Sequence, residues 1–205
     1  MTTSSRTLRS AIAALALLIP VAVAAAPATA APRDPVVYDA LGDSYGSGYG
    51  VPPYSATCGR SEAAYAVQID GRMRIDLDDF AACAGATTKS MLASQMGALD
   101  ADTDLVTVSI GGNDIGWGTV VGACVAAGDA PCAGALAATT GVITTALPAV
   151  LDATYAQIAA AAPDAHVVVT GYPRLFSPEY GAYLNASPAE QEAMNDGADL
   201  LNSVM

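Results

Sequence analysis

The order of predicted strands and helices indicates an α/β protein built around a parallel sheet. Short apolar runs rich in β-branched residues predict strands over residues 36–41, 104–110 and 166–170. Segments with a helical spacing of apolar residues lie between these runs and after the last one. Strands that alternate with helices form βαβ units, and such units place a parallel sheet between helical layers.

The sequence over residues 36–82 predicts two strands and one helix. The strand over 36–41 leads into residues 42–60, which are rich in Gly, Pro and Tyr and are interpreted as a loop. Ser61 is a candidate N-cap for a helix that reaches about Ile69. Alternating apolar residues then favour a second strand within 73–82.

The rest of the chain is mostly helical between its strands. A helix is predicted over 91–99, and a long alanine-rich segment over 131–162 has apolar residues at helical spacing. Near the end, Ser187 is placed to cap a last helix, with Pro188 at its first position. The strands and helices therefore alternate over most of the chain.

The first thirty residues have the pattern of a secretory signal peptide. Arg6 and Arg9 form a basic segment, residues 11–26 are apolar, and Ala28-Thr29-Ala30 fits a cleavage site. The alternative is a transmembrane anchor, but the apolar segment is shorter than the ~20 residues that a span requires. We therefore expect residues 31–205 to form a single secreted, extracellular domain without a stable membrane insertion.

The cysteine content agrees with export. An exported chain with four cysteines is expected to form two disulfides, and four cysteines allow three pairings. The short loop between Cys124 and Cys132 makes this pair the most plausible one, which leaves Cys58 with Cys83. A zinc site is not favoured, because the sequence has no C-x-x-C motif and no histidine near the cysteines. We expect no metal.

The charge of the chain argues against nucleic acid as a partner. The formal net charge is −12, and Lys89 is the single lysine. No basic patch is present in the sequence, and a surface of this sign repels nucleic acid and anionic membranes. The acidity is interpreted as a property that favours solubility.

Three turns that follow predicted strands contain the residues that could take part in a reaction. They contain Gly42-Asp43-Ser44-Tyr45, then Gly85, and then Gly112-Asn113-Asp114. In a parallel sheet these turns share the edge at which α/β proteins bind ligands. A hydroxyl, an unshielded backbone N–H and a side-chain amide are the groups that acyl transfer requires. Gly, Asp and Ser are also ordinary turn formers, so the first turn alone is a weak signal.

Taken together, the three turns resemble the first three sequence blocks of the GDSL, or SGNH, hydrolase family. The matching stretches are Gly42-Asp43-Ser44-Tyr45-Gly46-Ser47-Gly48, Gly85-Ala86-Thr87-Thr88 and Gly111-Gly112-Asn113-Asp114. Their order and spacing match the family over roughly residues 36–175. Tyr172-Pro173-Arg174 is also similar to a segment of the secreted bacterial lipases and esterases of this family.

The resemblance implies a fold, an activity and a set of site residues. It implies a flavodoxin-like α/β/α three-layer fold with a parallel sheet, and hydrolysis of small-molecule or lipid esters by a monomer without a cofactor. Ser44 would be the nucleophile. The Ser44 N–H, the Gly85 N–H and the Asn113 side chain would form the oxyanion hole. Asp43 and Asp114 are expected to brace their turns rather than act as acids.

The catalytic base of the family does not appear in the 205 residues. The resemblance implies a late Asp-x-x-His motif beyond one more strand, but the only histidine is His166. His166 begins a predicted strand, so it would lie roughly 15 Å from the Ser44 edge, at ~3.3 Å per strand residue. We therefore expect a C-terminally truncated family member, with its last strand and helix missing and with weak or no activity.

Two other functions remain open at this stage. A carbohydrate deacetylase of the same family would use the same site chemistry, and a non-catalytic secreted binding protein would keep the fold without the reaction. Trp117 and Ile115 follow the Asn113 turn, where they could line an acyl pocket, although ordinary packing is an equally good interpretation.

Overall fold

Four parallel strands form the central sheet of the computed structural model, which describes Met1 and residues 34–55, 57–127 and 129–205. The predicted signal segment over 1–30 thus lies outside the described residues, apart from Met1. The strands are β1 Val36–Gly42, β2 Tyr54–Ser55, β3 Arg60–Ser61, β4 Ile75–Phe80, β5 Leu105–Ser109 and β6 His166–Val169. In the central sheet, β4, β1, β5 and β6 are neighbours in that order, and all pairs are parallel. A separate antiparallel pair joins β2 to β3.

Seven α-helices are described, and the three longest lie in the second half of the chain. They are α1 Ser44–Ser47, α2 Tyr65–Ile69, α3 Thr88–Ser94, α4 Trp117–Gly122, α5 Asp129–Thr145, α6 Leu147–Ala161 and α7 Pro188–Ser203. A π-helical turn, Ala123–Ala127, continues α4, and short 3₁₀ turns cover Met96–Ala98 and Pro178–Tyr180.

The strand pattern follows from apolar side chains on both faces of the sheet. On one face, Leu41 of β1 and the valines of β5 pack against α3, α5 and α6. On the other face, Tyr38 and Ala40 of β1 pack against Ala66 of α2. Burial on both faces is the condition that favours continuous apolar strands in a parallel sheet. The predicted mixed α/β fold with a parallel sheet is therefore confirmed.

The predicted helix starts are correct in one place and wrong in another. Ser187 caps α7, with Pro188 in the first turn and a reciprocal bond between Ser187 and Glu190. Ser61, by contrast, lies in β3 and is not an N-cap. Its hydroxyl donates to the Val51 carbonyl oxygen at 2.5 Å, and the helix begins only at Tyr65. The segment over 42–60 is also not all loop, because α1 and β2 lie within it.

The alanine-rich segment forms two helices instead of one. Helix α5 ends at Thr145 and α6 begins at Leu147, with Pro148 in its first turn. Proline cannot donate to the preceding turn, so it starts a new helix more readily than it continues one. Among the described residues, no single helix has the length and apolar character to cross a membrane. The bent pair α5–α6, at 51°, passes that test by length and composition only.

Both expected disulfides are present. Cys58 is bonded to Cys83, and Cys124 is bonded to Cys132. The first bond ties the segment after β2 to the residues that follow β4. The second joins the π-helical turn to α5.

Candidate active site

The three predicted site turns lie at the same edge of the sheet. Ser44 follows β1, which is the central strand between β4 and β5. The Cys83 N–H after β4 donates to the Gly42 carbonyl at 3.0 Å, and the Asp43 N–H donates to the Ser109 carbonyl of β5 at 2.9 Å. These bonds fix the ends of the three strands against one another. The Gly85 and Asn113 turns therefore flank the Ser44 turn.

Two backbone donors in these turns are free. In the parts of the chain that the structure describes, no hydrogen bond uses the N–H of Ser44 or of Gly85. Their neighbours are engaged: the Tyr45 N–H donates to Asp43 at 2.9 Å, and the Ala86 N–H donates to the Cys83 carbonyl at 3.0 Å. Gly85 has φ +82° with open space beside its Cα, so no side chain shields its N–H.

Asn113 lies next to the Gly85 turn. Its Nδ2 atom donates to the Ala86 carbonyl oxygen at 2.8 Å, which leaves one amide hydrogen available. Asp114 accepts from the Thr88 N–H at 3.0 Å and from the Thr88 hydroxyl at 2.6 Å. Asp114 thus holds the Asn113 turn against the start of α3, which agrees with its expected bracing role.

The buried side chain of Asp43 braces the Ser44 turn. This buried carboxylate accepts from the Tyr45 N–H, from the Ser109 hydroxyl at 2.9 Å and from the Tyr172 hydroxyl. Burial raises the pKa of Asp43, and the hydrogen bond from Tyr172 is the largest effect that opposes the rise. Because its oxygens are occupied by these donors, Asp43 acts as a structural brace, as expected.

Tyr172 connects the Ser44 turn to the Asn113 turn. Its hydroxyl donates to Asp43 and accepts from the Gly112 N–H at 3.0 Å. Its ring also contacts the Tyr45 ring edge-on, with centroids 5.1 Å apart. Burial raises the pKa of Tyr172, and the adjacent Asp43 carboxylate raises it further. Tyr172 therefore remains a neutral donor.

Gln95 holds the end of β1 and was not predicted as a site residue. Its amide nitrogen donates to the Gly42 carbonyl at 2.9 Å, and its amide oxygen accepts from the Gly42 N–H at 2.8 Å. A Cβ on Gly42 would lie 2.5 Å from the Ser109 carbonyl oxygen, so this position requires glycine. The signal that could have indicated Gln95 is its place between Met91 and Leu99, on an otherwise apolar helical face.

His166 is far from Ser44, as expected. It begins β6 and pairs with Leu105, which in turn pairs with Tyr38 near the start of β1. The separation from Ser44 is about six residues along the sheet, or roughly 15–20 Å at ~3.3 Å per residue. His166 is also exposed. As it is the single histidine of the sequence, no imidazole lies beside Ser44.

Among the described residues, one group of carboxylates could geometrically hold a cation, but it lies away from the site. Oxygens of Asp39, Asp78 and Asp79 lie within 4.8 Å of one another. Asp39 already accepts from the Thr103 hydroxyl and from the Asp79 N–H. Asp78 and Asp79 are exposed.

Comparison with known sequences identifies the family. The model of the GDSL-like lipase/acylhydrolase family matches residues 40–204. The chain is 38% identical over 172 residues to Lipase 1 of Streptomyces coelicolor, a match that covers 82% of the chain and 63% of that lipase. It is also 38% identical over 203 residues to a lipase of Streptomyces rimosus, covering 96% of the chain and 76% of that lipase.

Comparison with solved structures agrees with this result. The crystal structure of the extracellular lipase from Streptomyces rimosus matches with a TM-score of 0.78 and 36% identity, over 82% of this chain and 74% of that one. A phospholipase A1 from Streptomyces albidoflavus matches with a TM-score of 0.78 and 38% identity, over 83% and 73% respectively. The chain therefore belongs to the GDSL-like lipase/acylhydrolase family.

Proposed function

We propose that the chain is a carboxylic ester hydrolase with Ser44 as its nucleophile. The observation that carries the proposal is the pair of free N–H groups, of Ser44 and Gly85, beside the Asn113 amide. The Ser44 hydroxyl attacks the ester carbonyl carbon, and the carbonyl oxygen becomes anionic. The three donors then stabilise this oxyanion, and each is typically worth about 10²–10³ in rate.

The attack also requires a base, and the part of the chain that the structure describes places no histidine at Ser44. A base must lie within hydrogen-bond reach of the hydroxyl proton, whereas His166 is at the other edge of the sheet. Loss of the histidine typically lowers kcat of a serine hydrolase by about 10⁶. Oxyanion stabilisation and binding retain about 10³–10⁴ over water. We therefore propose that these residues alone form a slow esterase.

We also propose that the protein is exported and that residues 31–205 form its hydrolase domain. The signal-like pattern over 1–30 supports export, and so do the two disulfides, which persist in oxidising compartments. The matching lipase from Streptomyces rimosus is described as extracellular. Neutral or lipid esters suit the acidic chain better than polyanionic substrates.

Imidazole added to the solution tests the proposal. Release of p-nitrophenol from p-nitrophenyl butyrate is measured with increasing imidazole, which can supply the base that the residues lack. The wild-type protein is expected to show an imidazole-dependent rate beyond that of imidazole alone, and Ser44→Ala is expected to abolish it. Ser94→Ala, which removes an exposed hydroxyl on α3, is the matched control.

A fluorophosphonate probe separates the esterase from a second candidate function. The distance of His166 from Ser44 favours a non-catalytic binding protein as that second candidate. An esterase site is expected to become labelled at Ser44 in the presence of imidazole, with labelling lost in Ser44→Ala. Equal labelling of the two proteins, or no labelling at all, would contradict a nucleophilic role for Ser44.

A further inference from the structure

The large apolar side chains that the fold leaves exposed are concentrated in two segments beside the Ser44 turn. In the described part of the chain, seven of twelve such side chains lie in residues 49–55 and 175–187. These are termed the first and the second rim segment. Single exposed apolar residues are ordinary, whereas a concentration of them marks a surface that contacts a partner.

The first rim segment borders the Ser44 turn on the side of strand β4. The Tyr49 N–H donates to the Ser44 carbonyl oxygen at 2.9 Å. The Tyr49 ring packs so closely beside Gly59, the residue after the disulfide partner of Cys83, that an added Cβ would lie 2.6 Å from it. Tyr54 stacks on Tyr49, with ring centroids 5.2 Å apart. The exposed large side chains of this segment are Tyr49, Val51 and Tyr54.

The second rim segment leaves the site on the opposite side, after strand β6. It begins three residues after Tyr172, whose hydroxyl donates to Asp43. Tyr172 is also bonded to Asn202 of α7. Further on, the Gly181 carbonyl accepts from Gln191, about eleven positions earlier in that helix, which corresponds to about 16 Å. The exposed large side chains of this segment are Leu175, Tyr180, Tyr183 and Leu184.

The end of the second rim segment holds its apolar side chains in fixed positions. Tyr183 and Ala186 exchange two backbone hydrogen bonds of 3.0 Å, which close a turn around Leu184 and Asn185. Leu184 has φ +53°, a conformation that costs free energy in a residue other than glycine, and it is 70% exposed. Tyr180 is 87% exposed. The fold thus presents Leu184 in a strained turn without gaining its burial in return.

Both rim segments are almost free of charge in an acidic chain. Residues 44–59 contain no charged side chain, and residues 175–187 contain Glu179 alone. Over the whole chain 14% of residues are charged and the net charge is −12, so the charge is carried by the rest of the surface. A surface without ions leaves water at low cost, because no charge has to be desolvated.

We propose that the two rim segments dock the protein onto a zwitterionic or uncharged lipid surface, with the Ser44 turn between the two contacts. Tyrosine suits this position, because its apolar ring and polar hydroxyl match the boundary between lipid and water. Leu184 and Val51 supply apolar groups that enter the lipid. The contact is peripheral and reversible, and it does not require Ser44 to react.

The spacing of the rim segments favours a lipid surface over a protein partner. Strands β4 and β6 are three strand spacings apart, or about 15 Å, so the segments form two separate contacts on either side of the site. A flat, fluid surface meets both contacts at once. The near absence of charge leaves few groups that would fix the orientation of a protein partner. The net charge of the chain also selects against anionic lipid.

Co-sedimentation with vesicles tests the docking surface without ester cleavage. The Ser44→Ala protein is mixed with sucrose-loaded vesicles of dioleoylphosphatidylcholine, and bound protein is measured in the pellet. We expect saturable binding that changes less than about twofold when salt is raised to about 0.5 M, because no ion pair contributes. Replacing about a third of the lipid by phosphatidylglycerol should weaken binding at low salt, because the acidic chain is repelled.

Substitutions on each rim segment locate the contact. Leu184→Ser is expected to weaken vesicle binding about tenfold and Val51→Ser about threefold, because each removes apolar surface from the lipid. The double variant should lose about thirtyfold, since distant contacts are additive. Val142→Ser on α5 is the matched control, an exposed valine outside both segments, and should bind unchanged. All three side chains are exposed, and circular dichroism verifies that the variants fold.

Three results would overturn the proposal. They are no binding to phosphatidylcholine vesicles, equal losses in the rim variants and the Val142→Ser control, and binding that increases with phosphatidylglycerol. Sedimentation velocity provides a further check. A dimer in solution that Leu184→Ser dissociates would assign the rim segments to a second copy of the chain and would also refute docking to lipid.

The outcome is separate from that of the proposed role of Ser44. Vesicle binding that the rim variants weaken, in a protein without Ser44-dependent ester cleavage, would support docking and refute the nucleophile. Ser44-dependent cleavage of p-nitrophenyl butyrate by a protein that does not bind vesicles would refute docking alone.

Discussion

Strand β1 carries one buried carboxylate at its middle, Asp39, and is followed by a second one, Asp43, in different surroundings. Asp39 and Asp43 are four residues apart and both buried, and burial raises the pKa of each. Asp43 faces hydrogen-bond donors, including Tyr172. Asp39 also has donors, but Asp78 and Asp79 lie nearby and their like charges raise its pKa further. The hydrogen bonds of Asp43 connect several turns, whereas those of Asp39 connect neighbouring segments of the sheet.

The difference shows where reactivity can arise on this sheet. At the carboxyl end, the N–H groups of Ser44 and Gly85 remain free because side chains hold the turns in place. At the amino end, the chain presents His166, which is exposed and out of reach of Ser44. The candidate site is therefore made by neighbouring turns and not by β1 itself.

The largest expected effect concerns the side-chain donor at the carboxyl end. Asn113→Ala should slow imidazole-assisted acylation of Ser44 by about 10²–10³, because one oxyanion donor is lost. Single-turnover release of p-nitrophenol measures this rate. Asn185→Ala, an exposed asparagine far along the chain, serves as the control. A change in the acylation rate below threefold would contradict a role for Asn113 in the oxyanion hole.

The second largest effect is expected from removing the disulfide near the Gly85 turn. Cys58–Cys83 closes a loop of 25 residues, so the double Ser variant should lose about 3 kcal/mol of unfolding free energy. It should also slow acylation, because the Cys58 carbonyl accepts from the Ala84 N–H beside Gly85. The Cys124–Cys132 loop of 8 residues should cost about 2 kcal/mol and leave acylation of short esters unchanged.

Urea unfolding and single-turnover acylation measure both quantities for the two disulfide variants. Acylation that slows equally in the two would mean that the Cys58–Cys83 bond has no particular connection to the Gly85 turn.

Two buried tyrosines, one with hydrogen-bond partners and one without, allow a matched test of the hydrogen bonds beside the Ser44 turn. Tyr172→Phe removes a donor to Asp43 and an acceptor for the Gly112 N–H, which should cost about 1–3 kcal/mol and slow acylation. Within the described residues the buried Tyr155 hydroxyl has no partner, so Tyr155→Phe should be neutral or slightly stabilising. Chemical denaturation measures both, and equal losses would contradict the connecting role of Tyr172.

The pH dependence of stability tests the surroundings of Asp39. Because its pKa is raised in the folded state, Asp39 contributes fully to stability below its unfolded pKa of about 3.9 and less as pH rises. Asp39→Asn should therefore reduce the loss of unfolding free energy between about pH 4 and about pH 7. Urea titrations at both pH values measure the change. An unaltered slope would show that Asp39 does not titrate in this range.

The smallest expected effect is at His166. His166→Ala should leave fluorophosphonate labelling and imidazole-assisted acylation unchanged, because the exposed imidazole lies at the wrong edge of the sheet. Loss of labelling would contradict the distance argument and would require His166 to act on Ser44.

Local patterns were sufficient to predict the four strands of the central sheet and part of the helices, but not β2 and β3. The apolar runs of β1, β5 and β6 and the Ser187 cap of α7 were predicted from adjacent residues alone. Ser61 misled because its hydroxyl bonds back to Val51, a contact that sequence order does not show. The division between α5 and α6 could have been inferred from Pro148.

The sequence predicted that the three site turns lie at one edge of the sheet, but it did not predict the hydrogen bonds that connect them. Parallel strand order brings the Ser44, Gly85 and Asn113 turns to one edge, and this follows from the βαβ pattern. The contacts of Tyr172 with Asp43 join residues 129 positions apart, so no local pattern indicates them.

The buried amide of Gln95 has a consequence for mutational tolerance. Its side chain supplies both an acceptor and a donor to the backbone of Gly42, as a neighbouring strand would. Glutamate lacks the donor, asparagine is one carbon shorter, and methionine offers neither group. In a saturation library, position 95 should therefore accept almost no replacement, although glutamine is usually a freely exchangeable surface residue.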